Sequence, residues 1–181
     1  MLRSCTSIAY TWGSTAAERT LPYPCDRQLA GAEAYFRAVD VAAPPAVVFR
    51  WLCQLKVAPY SYDWIDNGGR QSPRRLTPGL EELAVGQRFM TFFELVDFEA
   101  GRHLTLRPRT PGASIVVGDL AVSYVVVPHG ERGSRLLVKL LCRYGRGAVG
   151  RAQRWLLPWG DLVMMRRQLL NLKQLAEAQA R

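Results

Sequence analysis

The sequence predicts an α+β fold in which a curved antiparallel sheet wraps a long C-terminal helix. Four strand-like runs follow one another between residues 88 and 144, and short turns rich in glycine and proline separate them. Short connections of this kind join antiparallel strands, because parallel strands need long crossovers. The hydrophobic period then becomes helical over residues 148–180. With 181 residues, the chain fits one domain with a sizeable core.

The composition is that of a folded globular protein, with 49% hydrophobic and 22% charged residues. There is no run of 18 apolar residues and no signal-peptide pattern near the N-terminus, so we expect a cytoplasmic protein. The cysteines at positions 5, 25, 53 and 142 form no closely spaced pair. We therefore expect no metal and no cofactor, and we expect Cys53 and Cys142 to be small buried side chains.

Residues 1–34 show no sustained period and are interpreted as an arm that packs on the body of the domain, residues 35–181. Thr15 and Glu18 have the spacing of a capping box at the start of one short helix. Residues 35–41 suit a first strand. Pro44 and Pro45 then suit the first turn of a helix that ends near Lys56.

Residues 58–75 are predicted to form a loop, and residues 78–83 a short helical piece. Tyr60, Tyr62 and Trp64 alternate with other residues, so an extended backbone would send all three aromatic rings to one side. Such a row suits the mouth of a ligand cavity. The alternative is that these rings only seal the loop against the core, and the sequence leaves both open.

A single strand over residues 88–98 would place Glu94 on one face with the apolar side chains of Met90, Phe92, Val96 and Phe98. A carboxylate on such a face would be partly desolvated, which raises its pKa and suits it to proton transfer. The alternative is an edge position or an ion pair with an arginine. Glu94 is the best acid or base candidate in the sequence.

The other strands are predicted over residues 102–107, 115–127 and 134–144. In the last of these, alternation sends Leu136, Val138, Leu140, Cys142 and Tyr144 inward. The same alternation in the preceding strand gives an inward set of Leu120, Val122, Tyr124 and Val126. Tyr124 and Tyr144 are candidates to offer hydroxyls to a ligand, with ordinary core aromatics as the alternative.

Residues typical of common active sites are not grouped in this sequence. His103 and His129 are both predicted to be solvated. No Ser/His/Asp set, metal cluster or phosphate-binding glycine loop can be assembled.

The C-terminal helix carries a broad apolar stripe and an arginine-rich back. Pro158 is expected to kink or interrupt it, with Asp161 as the cap of a restarted helix over residues 161–179. Residues 132–181 carry the whole net charge of +9. Basic residues beside an apolar stripe are typical of a helix on a membrane surface. We favour a core helix whose arginine-rich side faces solvent. Specific nucleic-acid binding is disfavoured. The stripe consists of Trp155, Trp159, Leu162, Met165, Leu169, Leu172 and Ala176.

The order of elements resembles the helix-grip fold of the START-like, or SRPBCC, superfamily. Residues 37–55, RAVDVAAPPAVVFRWLCQL, resemble the opening of its polyketide cyclase/dehydrase branch. Residues 58–70, APYSYDWIDNGGR, are similar to the aromatic loop of a group of bacterial members, and residues 161–177 to their final helix. The resemblance spans nearly the whole chain and implies a cavity for hydrophobic ligands between the sheet and that helix.

The superfamily includes carriers, receptors and enzymes, so the fold does not choose among functions. The leading hypothesis is binding or carriage of a small, largely apolar molecule. The alternative is an enzyme of the polyketide cyclase or dehydratase type, and the third is an interaction or membrane-surface module. The expected cavity of several hundred Å³ would be lined by Tyr60, Tyr62, Trp64, Met90, Phe92, Glu94, Val122, Tyr124, Leu140, Tyr144, Trp159, Leu162, Met165 and Leu169.

Overall fold

A computed structural model describes residues 7–109 and 119–181. Its six strands form one sheet in the order β1-β6-β5-β4-β3-β2, and every neighbouring pair is antiparallel. The strands are β1 Glu33–Val41, β2 Arg88–Phe89, β3 Phe93–Glu99, β4 His103–Pro108, β5 Asp119–His129 and β6 Gly133–Arg143. The start predicted for the fifth strand, residues 115–118, lies outside the described residues.

Among the residues that the structure describes, one long helix packs on this sheet and four short α-helices precede it. The α-helices are α1 Ile8–Thr11, α2 Ala16–Thr20, α3 Pro45–Cys53, α4 Asp63–Asp66 and α5 Gly147–Gln179, with 3₁₀ turns at Pro24–Arg27 and Gln54–Lys56. The predicted α+β class is confirmed. Thr15 and Glu18 form the expected capping box of α2.

The inner face of the sheet is a continuous apolar surface that faces α3 and α5. On neighbouring strands across this face, each residue lies directly opposite the next in the series Tyr35, Leu140, Val122, Leu106 and Leu95. Opposite residues in a sheet point to the same side, so these five share the inner face. All five are buried, and the inward set predicted for the last strand is confirmed for Leu136 to Cys142.

The outer face of the middle strands is covered by the N-terminal segment. The Cys25 amide donates to the Ser123 hydroxyl of β5 at 2.9 Å. The Arg135 guanidinium of β6 lies 2.7 Å from the Glu18 carboxylate. The hydrogen bond from Arg135 lowers the pKa of Glu18 to about 2. Apolar contacts of Tyr23 and other residues of this segment with both strands complete the cover.

Two local predictions are wrong. Residues 88–98 form two strands with a turn at residues 90–92, where Met90 has a φ of 49°. A left-handed residue reverses the chain, which simple alternation of side chains cannot show. Residues 78–81 form a turn in place of a helix.

The long helix also differs from its prediction. Helix α5 is a single element with Pro158 in its interior, so Asp161 is an internal residue and not a cap. A buried arginine of β1, Arg37, binds both the Asp161 carboxylate and the Pro158 carbonyl, which holds this stretch against the sheet. Trp155 and Trp159 are 74% and 52% exposed. They lie on the outer side of the helix and not on its core stripe.

The predicted burial of the cysteines and exposure of the histidines are confirmed in part. Cys53 and Cys142 are buried as expected, and burial raises the pKa of each thiol to about 12. His129 is exposed, but the His103 side chain is only 14% exposed because it lies between the carboxylates of Asp97 and Glu99. Among the described residues there is no group that could hold a metal, and no helix there could cross a membrane.

Candidate functional site

A cavity of about 1150 Å³ lies between the inner face of the sheet and the first half of α5. A smaller cavity of about 210 Å³ adjoins it. The larger volume is just above the range usual for small-molecule sites. Eight residues line both cavities: Pro59, Met90, Thr91, Phe92, Leu120, Leu140, Asp161 and Met164.

The cavity exists because α5 presents different side chains along its length. Over the first half, Leu157, Gly160 and Met164 border the open space, and a glycine has no side chain to fill it. Over the second half, Leu169 and Leu172 are fully buried in the core. The helix therefore closes the core at one end and leaves a cavity at the other.

A polar network fixes one wall of the smaller cavity. The Tyr124 hydroxyl donates to Gln168 Oε1 at 2.8 Å, and Gln168 Nε2 donates to the Pro59 carbonyl at 2.6 Å. Asn171 Nδ2 donates to the Tyr60 carbonyl at 2.8 Å. These bonds tie residues 59 and 60 to α5. Tyr60 itself has a φ of 56°, an uncommon conformation for a tyrosine.

A charged pair lies behind the cavity wall. Arg37 is on the inner face of β1 and its side chain is 1% exposed. Its Nη2 lies 2.7 Å from Asp161 Oδ2 and 2.8 Å from the Ala9 carbonyl. Burial raises the pKa of Asp161, and the guanidinium of Arg37 opposes that shift. Asp161 is the one carboxylate among the described residues that line either cavity.

Two tyrosine hydroxyls pair beside the same cavity. Tyr35, which lines the larger cavity, shares a short hydrogen bond with Tyr144. Burial raises the pKa of both phenols, so neither ionises at neutral pH. The Tyr35 hydroxyl is thus already used in its hydrogen bond with Tyr144.

The mouth of the larger cavity is basic. Lys56 and Arg70 are among its lining residues, together with the exposed apolar side chains of Ile65 and Phe92. The Lys56 ammonium donates to the Glu82 carbonyl at 2.6 Å, and desolvation lowers the pKa of Lys56. The electrostatic field at the mouth thus favours neutral or anionic molecules over cations.

Six of the residues singled out from sequence border the cavities. They are Met90, Phe92, Val122, Tyr124, Leu140 and Met165. Leu162 and Leu169 are buried elsewhere in the core, and Trp159 faces outward. Tyr144 meets the cavity only through Tyr35.

The expected row of loop aromatics does not share one side. A helical turn at α4 and the left-handed Tyr60 interrupt the extended backbone on which that prediction depended. Tyr60 is buried and meets the Trp51 ring edge-on at 6.1 Å. Tyr62 lies under the Arg167 guanidinium, and Trp64 is 76% exposed.

Glu94 lies outside both cavity linings. Its neighbour Leu95 points to the inner face, so Glu94 points to the outer face, opposite Arg88 on β2 and Arg107 on β4. The prediction that it shares a face with Met90 and Phe92 is wrong, because the turn at residues 90–92 changes the register.

Sequence reasoning missed the Arg37–Asp161 pair. A usable signal was present, since the first strand reads Tyr35, Arg37, Val39 and Val41 on one alternating face, and a charge on an apolar face needs a partner. Nothing in the sequence pattern identifies Asp161 as that partner. The two residues meet only when β1 and α5 pack together.

Comparison with known proteins supports the fold. No family model matches the chain, and no curated protein matches it. Among solved structures, a protein of Nitrosomonas europaea aligns with a TM-score of 0.55 at 12% identity, over 83% of this chain and 97% of its own. A Thermobifida fusca protein aligns at 0.51 and 15%, over 78% and 94%.

The Zhui aromatase/cyclase from a Streptomyces species aligns with a TM-score of 0.50 at 13% identity, over 82% of this chain and 95% of its own. At such identities the likeness concerns the fold alone. Together with the observed sheet order and final helix, it confirms the fold that the order of elements predicts. The chain has the helix-grip fold, a curved antiparallel sheet packed on a long C-terminal helix.

Proposed function

We propose that this protein binds a small, largely apolar molecule in the cavity between the sheet and α5. The observation that carries the proposal is the cavity itself, about 1150 Å³ with walls formed largely by side chains such as Leu120, Leu140, Leu157 and Met164. Transfer of apolar surface from water into such walls contributes roughly 25 cal/mol per Å². A ligand of ordinary drug size would fit.

The basic mouth narrows the class of ligand. Lys56 and Arg70 would repel a cation and attract an anion at the entrance. We therefore expect a neutral or acidic molecule with an apolar body. A carrier needs no more than this, because binding and release require no reacting group.

The test uses the dye 1-anilinonaphthalene-8-sulfonate, which is apolar, anionic and fluorescent in dry pockets. It should bind near stoichiometrically, and Met164→Trp should weaken binding at least fivefold, because Met164 lines both cavities and the larger ring fills space in them. Val163→Trp is the matched control on the outer side of the same helix. If both variants fold and bind the dye like the wild type, the cavity is not the binding site.

An enzyme of the cyclase or dehydratase type is the second candidate. The likeness to a protein described as an aromatase/cyclase favours it, and the cavity wall offers Asp161 as an ionisable group. An acid or base near a reacting carbon can be enough for such chemistry. The test is incubation with a poly-β-ketone thioester analogue, followed by mass spectrometry. Loss of water that disappears in Asp161→Asn supports the enzyme, and recovery of unchanged analogue supports carriage.

A further inference from the structure

Most hydrogen-bonding side chains around the cavities are already engaged within the protein. The Tyr35 hydroxyl is paired with Tyr144, and the Tyr124 hydroxyl donates to Gln168. Both ends of the Gln168 amide are used as well. A ligand that enters the cavity would find these groups occupied.

Asp161 differs from them. Its Oδ2 atom accepts from Arg37, and within the described part of the chain no hydrogen bond reaches Oδ1. The side chain is 17% exposed and borders both cavities. One oxygen of the carboxylate is thus held by the protein, and the other is available to whatever fills the cavity.

Arg37 acts as the positioning residue for this carboxylate. Its guanidinium is fixed by the Ala9 carbonyl at 2.8 Å and the Phe36 carbonyl at 2.9 Å, besides Asp161. It neutralises the carboxylate without covering both of its oxygens. A hydrogen bond to an ionised acceptor is about twice as strong as one between neutral groups, so the available oxygen is a strong acceptor.

We infer that the ligand carries a hydroxyl group, phenolic or alcoholic, that donates a hydrogen bond to Asp161 Oδ1. This inference rests on the proposed function. A cationic donor is disfavoured because Arg37 already balances the carboxylate and because Lys56 and Arg70 make the mouth basic. A ketone, an ether or a hydrocarbon supplies no donor and would leave the desolvated carboxylate unmatched.

The experiment compares three probes on the wild-type protein by isothermal titration calorimetry: 2-naphthol, 2-methoxynaphthalene and the cation 2-naphthylmethylammonium. We expect 2-naphthol to bind about tenfold more tightly than its methyl ether, because only the phenol donates to a charged acceptor. The cation should bind more weakly than 2-naphthol. Competition with 1-anilinonaphthalene-8-sulfonate shows whether each probe occupies the cavity.

Asp161→Asn then assigns the preference to this residue. The side chain keeps its shape but loses its charge, so the ratio between 2-naphthol and its ether should fall to about twofold or less. Asp40→Asn, at a carboxylate that is 66% exposed and outside the lining, is the matched control and should keep the wild-type ratio. Thermal unfolding of each variant checks that it folds.

The outcomes separate this inference from the proposed function. Equal binding of 2-naphthol and its ether to the wild type overturns the hydroxyl inference and leaves the cavity as an apolar site. A preference that persists in Asp161→Asn also overturns it, because the hydroxyl then binds elsewhere. If no probe and no dye binds, the proposed function fails. Should Asp161→Asn not fold because Arg37 is left unpaired, the double variant Arg37→Met with Asp161→Asn is judged by the same criterion.

Discussion

The two halves of α5 meet the rest of the molecule in different ways. In the second half, Leu169, Leu172 and Ala176 are at most 1% exposed. In the first half, Trp155 is 74% and Val163 53% exposed, and the inner side borders an open cavity. One helix therefore serves as a core element at one end and as a cavity wall at the other.

The contacts that hold each half differ in kind. The second half is held by apolar packing and by hydrogen bonds of neutral side chains, such as Trp51 Nε1 to Gln179 Oε1 and Asn171 Nδ2 to the Tyr60 carbonyl, both at 2.8 Å. The first half is held by the pair between Arg37 and Asp161. Apolar packing stabilises without specifying a ligand, whereas a buried charge in a cavity wall offers a specific contact. We therefore expect stability to depend mainly on the second half and the proposed binding on the first.

The largest expected effect is on stability, from shortening a side chain in the second half. Leu172→Ala should lower the free energy of unfolding by about 2–5 kcal/mol, because it leaves a void in a packed core. Val163→Ala, on the exposed side of the first half, should change it by less than ~0.5 kcal/mol. Urea denaturation followed by circular dichroism measures both. Similar losses for the two variants would remove the contrast between the halves.

Two glycine substitutions compare a tightly packed position with an open one within the first half of α5. A Cβ atom at Gly150 would lie 1.8 Å from the Gly145 carbonyl oxygen, so Gly150→Ala should cost about 1–3 kcal/mol. A Cβ atom at Gly160 would meet open space, so Gly160→Ala should stabilise the helix by about 0.5–1 kcal/mol. Thermal unfolding orders the three proteins. Destabilisation by Gly160→Ala would mean that the cavity wall is packed.

The smallest expected effect concerns the outer side of the first half, where exposed tryptophans lie among arginines. Binding to vesicles with anionic lipid should be weak and should fall steeply between about 50 and 200 mM salt, as screening requires. Vesicle co-sedimentation measures it, with zwitterionic vesicles as the control. Strong retention at the higher salt, lost in Arg151→Gln with Arg154→Gln, would identify this side as a docking surface.

The fold was predictable from the sequence because its signals are local and repeated. The short connections around β4, β5 and β6 predict antiparallel pairing, and the helical period predicts α5. The inward set of β6 follows from alternation alone. Such patterns depend on neighbours in sequence, and a single sequence contains them.

The site was predictable only in part because its parts depend on tertiary contacts. The apolar lining from β5 and β6 was found by alternation. The turn at residues 90–92 was not, since a left-handed methionine has no sequence signature, and Glu94 was consequently assigned to the wrong face. Arg37 and Asp161 lie far apart in sequence, and no local pattern pairs them.

The strand order has a consequence for how the chain acquires its cavity. Glu33 of β1 pairs with Cys142 of β6, so the sheet is complete only when residues far apart in sequence have met. Closing such a long loop costs conformational entropy and slows folding. Helix α5 follows β6 in the sequence, so during synthesis the cavity is completed only after α5 has been made and has docked on the sheet. A ligand present while the final helix docks would speed the search for the native state only if it first binds the bare sheet. A ligand that binds only the completed cavity would instead slow unfolding.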